Sequence, residues 1–333
     1  MTHTAYLYGL AVHSDVPLHQ DRPLPDFYAP DFMIRIGAIT PDPAPLEGRV
    51  LLDLDMDQQY FTAVATDDGY LLRFHGTCDV RIDSVLREAT IHTFDEVDEA
   101  ILSVLASGTL LAFVLSMQGE PVLHASAVEV AGSAIAFVGY SGMGKSTMAT
   151  LMCADGAQLI TDDLLRLDLG CRPPSCALGA TELRLRKAAG DLAERFPAAP
   201  GRRLTADQRD ALAIPAATTP NLPLIAIVVP QPDRKLDPSA AEVAKLDPMA
   251  AFLLLTRFPR LLGWRDATVL RRQFQQLGDI VDAVPVFSAH LPWGPPFSDG
   301  IGAAVLTAVG LSQEDDWAHA HAGSRVARPT ASR

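Results

Sequence analysis

Apolar positions along this chain follow two rhythms. Over residues 1–93 they form short strand-like runs: Tyr6–Val12, Phe32–Ile36, Tyr60–Ala65, Tyr70–Phe74, Val80–Ile82 and Ala89–His92. Pro17, Pro23, Pro25, Pro30, Pro41, Pro43 and Pro45 cut the early part into loops. Thr66-Asp67-Asp68-Gly69 between two runs predicts a hairpin, with Gly69 suited to a positive φ. An antiparallel, β-rich region is expected. The period then lengthens. Thr93–Met117 predicts one long helix, capped by Thr93 or Asp95, with Glu96 and Asp98 in its first turn and Gly119 and Pro121 after its end. A domain boundary is placed near residue 118.

The second half alternates strand and helix, the mark of an α/β domain. Residues 121–138 predict a hairpin about Ala131-Gly132-Ser133, its second arm the apolar run Ser133–Val138. Lys145–Cys153 reads as a helix stopped by Gly156, and Ala157–Thr161 as the next strand. Residues 170–222 are broken by Gly and Pro and predict loops with short helices near 182–196 and 204–212. Leu222–Val229 reads as a buried strand. Asp247–Phe258 and Arg265–Ala283 read as amphipathic helices, Val284–His290 as a strand and Asp299–Leu311 as a last helix. Residues 312–333 are polar and aperiodic and predict a disordered tail. The expectation is a β-rich domain over 1–117 and an α/β domain over 118–311.

Composition narrows the classes. The 333 residues carry 40 Asp+Glu against 27 Lys+Arg, a formal charge of −13, which disfavours nucleic acid and anionic membrane as partners. Ala100–Met117 approaches the length of a membrane span, but it follows acidic residues and contains Ser and Gly, so a buried core helix is expected. Cys78, Cys153, Cys171 and Cys176 show no paired metal spacing, and the N-terminus lacks the basic and apolar regions of a signal peptide. A cytoplasmic protein with reduced thiols is expected. His13, His19, His75 and His92 are scattered and read as ordinary exposed or hydrogen-bonded histidines.

One stretch carries chemistry. Gly139-Tyr140-Ser141-Gly142-Met143-Gly144-Lys145-Ser146-Thr147 fits the phosphate-binding loop G-x-x-x-x-G-K-[ST], in the strand–loop–helix setting the motif requires. Its glycines let backbone N–H groups turn toward phosphate oxygens, and the helix that follows points its positive end at the same anion. Lys145 is placed to reach the β- and γ-phosphates and the Ser146 hydroxyl to ligate Mg²⁺. One strand later the chain reads Asp162-Asp163, beyond the carboxyl end of a strand, where open α/β sheets bind ligands. One carboxylate there can hold Mg²⁺ and the other can take a proton from an attacking hydroxyl. Arg184, Arg186, Lys187, Arg202 and Arg203 give this acidic chain a local basic supply.

Leu123-His124-Ala125-Ser126, Gly139–Thr147 and Leu159–Asp163, in this order and spacing, resemble the catalytic domain of the HPr serine kinase/phosphorylase family. The resemblance covers roughly residues 118–311. With the opening YLYGLAVHSDVP, the whole chain more closely resembles HPr-kinase-related proteins encoded beside lasso-peptide biosynthesis genes. Some of those phosphorylate the C-terminal serine of a precursor peptide. The resemblance implies a P-loop kinase domain with a mixed sheet and flanking helices, using ATP and Mg²⁺, beside a smaller β-rich N-terminal domain. It also implies a peptide or protein substrate with an acceptor serine, and a homo-oligomer. It makes Asp162 the general base, Asp163 its partner near the metal, and His124 the neighbour of that base. Gly139, Gly144, Lys145, Ser146 and Thr147 would bind triphosphate and Mg²⁺. Glu182-Leu183-Arg184 stands at the family's Glu-x-Arg, which makes Arg184 a phosphate ligand. The glycines that follow in the bifunctional enzymes are replaced by Leu185, Arg186 and Lys187, which sets this chain apart from the reverse phosphorylase reaction.

Three function classes follow: a kinase acting on an aliphatic hydroxyl of a peptide, protein or small alcohol; an NTPase of the switch or transport type; and a nucleotide-binding scaffold. No Asn-Lys-x-Asp and no Leu-Ser-Gly-Gly motif supports the second, and an intact Lys145, Ser146 and Asp162 set argues against the third.

Overall fold

The computed structural model describes residues 2–311 except 25–27, 56–58, 186–191, 193, 197–201, 205–209, 238–239 and 299. The tail at 312–333, and Arg186 and Lys187, lie outside the described residues, as do the side chains of Arg202 and Arg203. The fold is mixed α/β, with several sheets and few helices among the described residues.

The first sheet has eight strands: β1 (His3–Leu7), β2 (Leu10–Ser14), β3 (Phe32–Ile36), β4 (Arg49–Asp55), β5 (Gln59–Thr66), β6 (Gly69–Phe74), β7 (Cys78–Asp83) and β8 (Glu88–Thr93). Their order is β1-β2-β3-β8-β7-β6-β5-β4. The run expected as one strand at Tyr6–Val12 is a hairpin. Tyr8 and Gly9 turn it with φ of 55° and 79°, and β1 and β2 pair antiparallel on either side. Two adjacent positive φ values fit a two-residue hairpin turn, for which only Gly9 signalled in sequence. The Gly69 hairpin between β5 and β6 forms as expected, with φ 149°.

The long helix starts later than its sequence suggests. Thr93 ends β8, and the N-cap is Asp98, whose carboxylate accepts from the Ala100 N–H at 2.9 Å. The helix runs through α1 (Glu99–Val104), a π-helical turn at Leu105–Leu110 and α2 (Leu111–Gln118), and Gly119 closes it at φ 94°. Glu99–Gln118 is long and apolar enough to cross a membrane. Here Leu110 to Leu115 are essentially inaccessible and pack on the first sheet. That core also takes in Leu164, Leu261, Trp264 and Val269, with Phe113 stacked on Trp264 at 5.8 Å between centroids.

The second sheet is built from β9 (Val122–Leu123), β10 (Ala125–Val130), β11 (Ser133–Val138), β12 (Gln158–Thr161), β13 (Leu165–Asp168), β14 (Ser175–Cys176), β18 (Leu222–Asp233), β19 (Glu242–Lys245) and β20 (Val286–Pro292). The strands at 182–213 form a third, small sheet: β15 (Glu182–Leu185), β16 (Arg202–Leu204) and β17 (Asp210–Ala213). Short helices expected there are replaced in part by this sheet. Leu183 and Leu185 alternate inward from Glu182 and Arg184, a period of two too short to stand out in sequence.

β11 is buried on both faces. Ile135 and Phe137 meet α3 (Lys145–Ala154) and α6 (Gly300–Val309). Ala134, Ala136 and Val138 belong to the core shared with α4 (Pro248–Leu255) and α5 (Ala267–Ala283). Both of these last two helices are capped by aspartates, Asp247 and Asp266, each accepting from two backbone N–H groups.

β10 is antiparallel to both β11 and β12, so β11 and β12 run the same way. Their carboxyl ends, which carry the glycine loop and Asp162-Asp163, therefore lie on one edge of the sheet. A segment from the first half braces this edge. Arg22, 6% exposed, donates to the carbonyls of Gly179 at 3.0 Å, Ile160 at 3.1 Å and Ala217.

Candidate active site

The glycine loop joins β11 to α3, with Gly142 and Gly144 at φ 91° and 92°. Gly144 is the helix N-cap, and a Cβ there would sit 2.4 Å from the Trp293 ring. Glycine is required on both counts. Tyr140 is half-exposed and meets Phe258 edge to face at 4.9 Å. The Met143 N–H closes back on the Tyr140 carbonyl at 3.1 Å. Lys145 is 6% exposed, and its Nζ donates to that same carbonyl at 3.1 Å, so the amine lies inside the loop.

The two aspartates share one partner, Arg184, which gives its backbone N–H to Asp162 and its guanidinium to Asp163, and otherwise differ. Asp162 is 3% exposed. Its Oδ1 accepts from the Ser146 hydroxyl at 2.8 Å and from the Ser126 hydroxyl at 2.5 Å, and its Oδ2 accepts from the Arg184 backbone N–H at 3.1 Å. Asp163 adopts φ 71°, a left-handed conformation uncommon for a non-glycine residue and often found at functional sites. Its Oδ1 lies 3.1 Å from His124 Nε2. Its Oδ2 accepts from Arg184 at 3.0 Å and from Arg260 at 2.9 Å.

Electrostatics follow from this packing. Burial opposes the Asp163 charge, but Arg260, His124 and Arg184 together outweigh it and hold its carboxyl well below the usual range. Burial pushes His124 below its ordinary value, opposed by the hydrogen bond and charge of Asp163 and assisted by Lys145 and Arg260. A neutral His124 therefore donates its Nε2–H to an ionised Asp163.

The structure thus gathers His124, Lys145, Ser146, Thr147, Asp162, Asp163 and Arg184 about one cleft of about 230 Å³, with Ser141, Gly142 and Gly144 in its wall. Gly139, Tyr140 and Met143 support the loop from behind. One detail departs from what the family resemblance implies. His124 sits at the bend between β9 and β10 and neighbours Asp163, not Asp162, while Ser146 of the glycine loop neighbours Asp162. Sequence reasoning gave no role to Ser126 or Arg260. Ser126 had a signal, since a small polar residue between the apolar positions Ala125, Ala127 and Val128 of a buried strand demands a partner. Arg260 had none: it is one arginine in a loop, nearly a hundred residues from the carboxylate it meets. Trp293, Phe297 and Arg234 also line the cleft and were not singled out.

Among the described residues no group of three or more His, Cys, Asp or Glu side chains could hold a metal by itself. Mg²⁺ does not need such a group. It is commonly held by one or two carboxylates plus substrate phosphates, and the Ser146 hydroxyl beside the Asp162 carboxylate is a hard oxygen pair of that kind.

No family model matches the chain. No curated protein matches it either. Among solved structures, one titled "Structure of the Hpr(Ser) kinase/phosphatase from Coxiella burnetii" shows 13% identity and a TM-score of 0.30, over 56% of this chain and 87% of that one.

Proposed function

We propose that this chain is an ATP- and Mg²⁺-dependent phosphotransferase that moves the γ-phosphoryl group to an aliphatic hydroxyl. The observation that carries this reading is the division of labour between adjacent aspartates at the mouth of a P-loop. Asp162 shares a hydrogen bond with the P-loop serine, while Asp163 is aimed by His124, Arg184 and Arg260. The acceptor that the family resemblance implies is a serine of a peptide or protein, in particular the C-terminal serine of a lasso-peptide precursor. A small alcohol is the alternative acceptor.

Loop N–H groups, the α3 N-terminus and Lys145 bind the triphosphate. Lys145 exchanges its bond to the Tyr140 carbonyl for phosphate oxygens. Ser146 and Asp162 are the residues that would hold Mg²⁺, which when bound neutralises charge on the β- and γ-phosphates. Asp163 then faces the acceptor side and orients the hydroxyl. Its depressed pKa makes it a weak base, but a loose phosphoryl-transfer transition state needs positioning more than early proton removal. Arg184 brings a positive charge beside the transferring group.

The test is mass spectrometry of serine-containing acceptors after incubation with ATP and Mg²⁺, with Lys145→Ala as control. An added phosphate that Lys145→Ala abolishes supports the reading. ATP binding with no phosphate transferred to any acceptor and none released would favour the scaffold class instead.

A further inference from the structure

The cleft that holds the glycine loop has two unlike walls. In the order β12-β10-β11-β18-β20 the strand that feeds the loop stands in the middle. Asp162 and Asp163 follow the end of β12, and with His124 and Arg184 they form one wall. On the other side β18 pairs parallel with β11, and β20 parallel with β18, so these three strands end on one edge of the sheet. Asp233 and Pro292 are partners at the last register position, and the Trp293 N–H donates to the Asp233 carbonyl at 3.1 Å. Arg234 and Trp293 therefore leave paired strand ends side by side, and with Gly294 and Phe297 they form the second wall. Open α/β sheets bind ligands in crevices of this kind, beyond the carboxyl ends of their strands.

The two walls suit the two ends of a nucleotide. Both carboxylates that line the cleft belong to the β12 wall, and the Ser146 hydroxyl bonds to one of them. The metal and the reacting phosphate belong on that side. A triphosphate seated on the loop in this sense points its nucleoside end at the second wall. That wall is aromatic and cationic. Trp293 and Phe297 are the aromatic residues that line the cleft, whereas Tyr140 of the loop packs on Phe258 instead. Trp293 is half-buried and held on two sides. The far edge of its benzene ring lies against Gly144, and Phe297 meets it edge to face at 5.3 Å and 87°. A ring already fixed by its neighbours loses little further freedom when a flat ligand settles on it.

We infer that Trp293, braced by Phe297 and with Arg234 beside it, is the platform on which the base of the nucleotide stacks. The inference rests on the nucleotide part of the phosphotransferase reading and extends it from the phosphates to the base.

Calorimetry in the presence of Mg²⁺ tests it, comparing ATP with methyl triphosphate, which has the same charge and no base. The wild type should bind ATP at least about tenfold more tightly, as a base stacked on an aromatic side chain provides. Trp293→Leu should lose that advantage while binding methyl triphosphate as the wild type does. Trp293→Phe keeps a ring and should retain more of the advantage than the leucine variant. ATP that binds the wild type no better than methyl triphosphate overturns the inference. So does a leucine variant that keeps the full advantage, a phenylalanine variant no better than the leucine one, or a leucine variant that loses both ligands equally, since Trp293 would then only shape the glycine loop. If neither ligand binds the wild type, the nucleotide reading fails and the platform with it. ATP held through Trp293 with no phosphate transferred to any acceptor supports the platform and sinks the phosphotransferase reading alone.

Discussion

His124 Nε2 stands 3.1 Å from Asp163 Oδ1, and Arg184 and Arg260 grip the other oxygen of the same carboxylate. Both members of the pair have folded pKa values below their ordinary ones of 6.5 and 3.8. Below each ordinary value the unfolded chain therefore binds more protons than the folded one. The stability contributed by His124 is complete above pH 6.5 and is lost as pH falls through its folded value. That of Asp163 persists to about pH 4 and is lost below it. Melting temperature followed from pH 8 to pH 3.5 should fall in these two stages, and His124→Asn should remove the upper one. A wild-type profile flat between pH 7 and pH 5 would contradict the depressed imidazole.

Asp162→Asn and Asp163→Asn should fail differently. Asp162→Asn weakens the oxygen pair with Ser146, so transfer should need several-fold more Mg²⁺. Asp163→Asn should lower kcat at an unchanged Mg²⁺ requirement. It should also destabilise the fold by on the order of 2–3 kcal/mol, less than for a fully buried pair because a quarter of its side chain reaches solvent. Mg²⁺ titrations of initial rate and urea unfolding of both variants separate the two. The same Mg²⁺ shift in both would remove the division of roles.

Gly144→Ala should cost nucleotide affinity beyond what a single methyl suggests. The φ of 92° resists any side chain, and the new Cβ would meet Trp293 at 2.4 Å. A loss of at least about tenfold in ATP affinity, on the order of 1.4 kcal/mol or more, is expected by calorimetry. The paired change Gly144→Ala/Trp293→Ala should recover only the steric part.

Phe113→Ala should destabilise the chain by about 3–5 kcal/mol, because it empties a fully buried position and removes the stack on Trp264. As Trp264 follows α4 in the second half, unfolding monitored in the N-terminal sheet and at Lys145 should shift together. A shift confined to the first sheet would show that the shared core does not couple the halves.

Local order set what was legible. The glycine loop between strand and helix, the hairpin before it and the strand end at Asp162-Asp163 were readable because each needs only neighbours in sequence: Gly142 and Gly144 for the loop, Ala131-Gly132 for the turn, Thr161 before the carboxylates. The hairpin at Tyr8-Gly9 was hidden, since tyrosine at a positive φ leaves no signal and apolar residues continue across the turn. The extra strands at 182–213 were hidden by their length. Partners distant in sequence were the least visible. Ser126 bonds to a carboxylate 36 residues away and Arg260 to one 97 residues away, distances at which only the folded sheet decides who meets whom.

Arg22 carries a wider meaning for anyone cutting this chain. Its guanidinium donates to the Ile160 carbonyl, on the strand that leads into Asp162, and to the carbonyl of Gly179, whose N–H bonds to that same strand. The amino-terminal segment is therefore a splint on the candidate site, and a fragment trimmed to residues 118–311 would keep every motif residue while losing this brace.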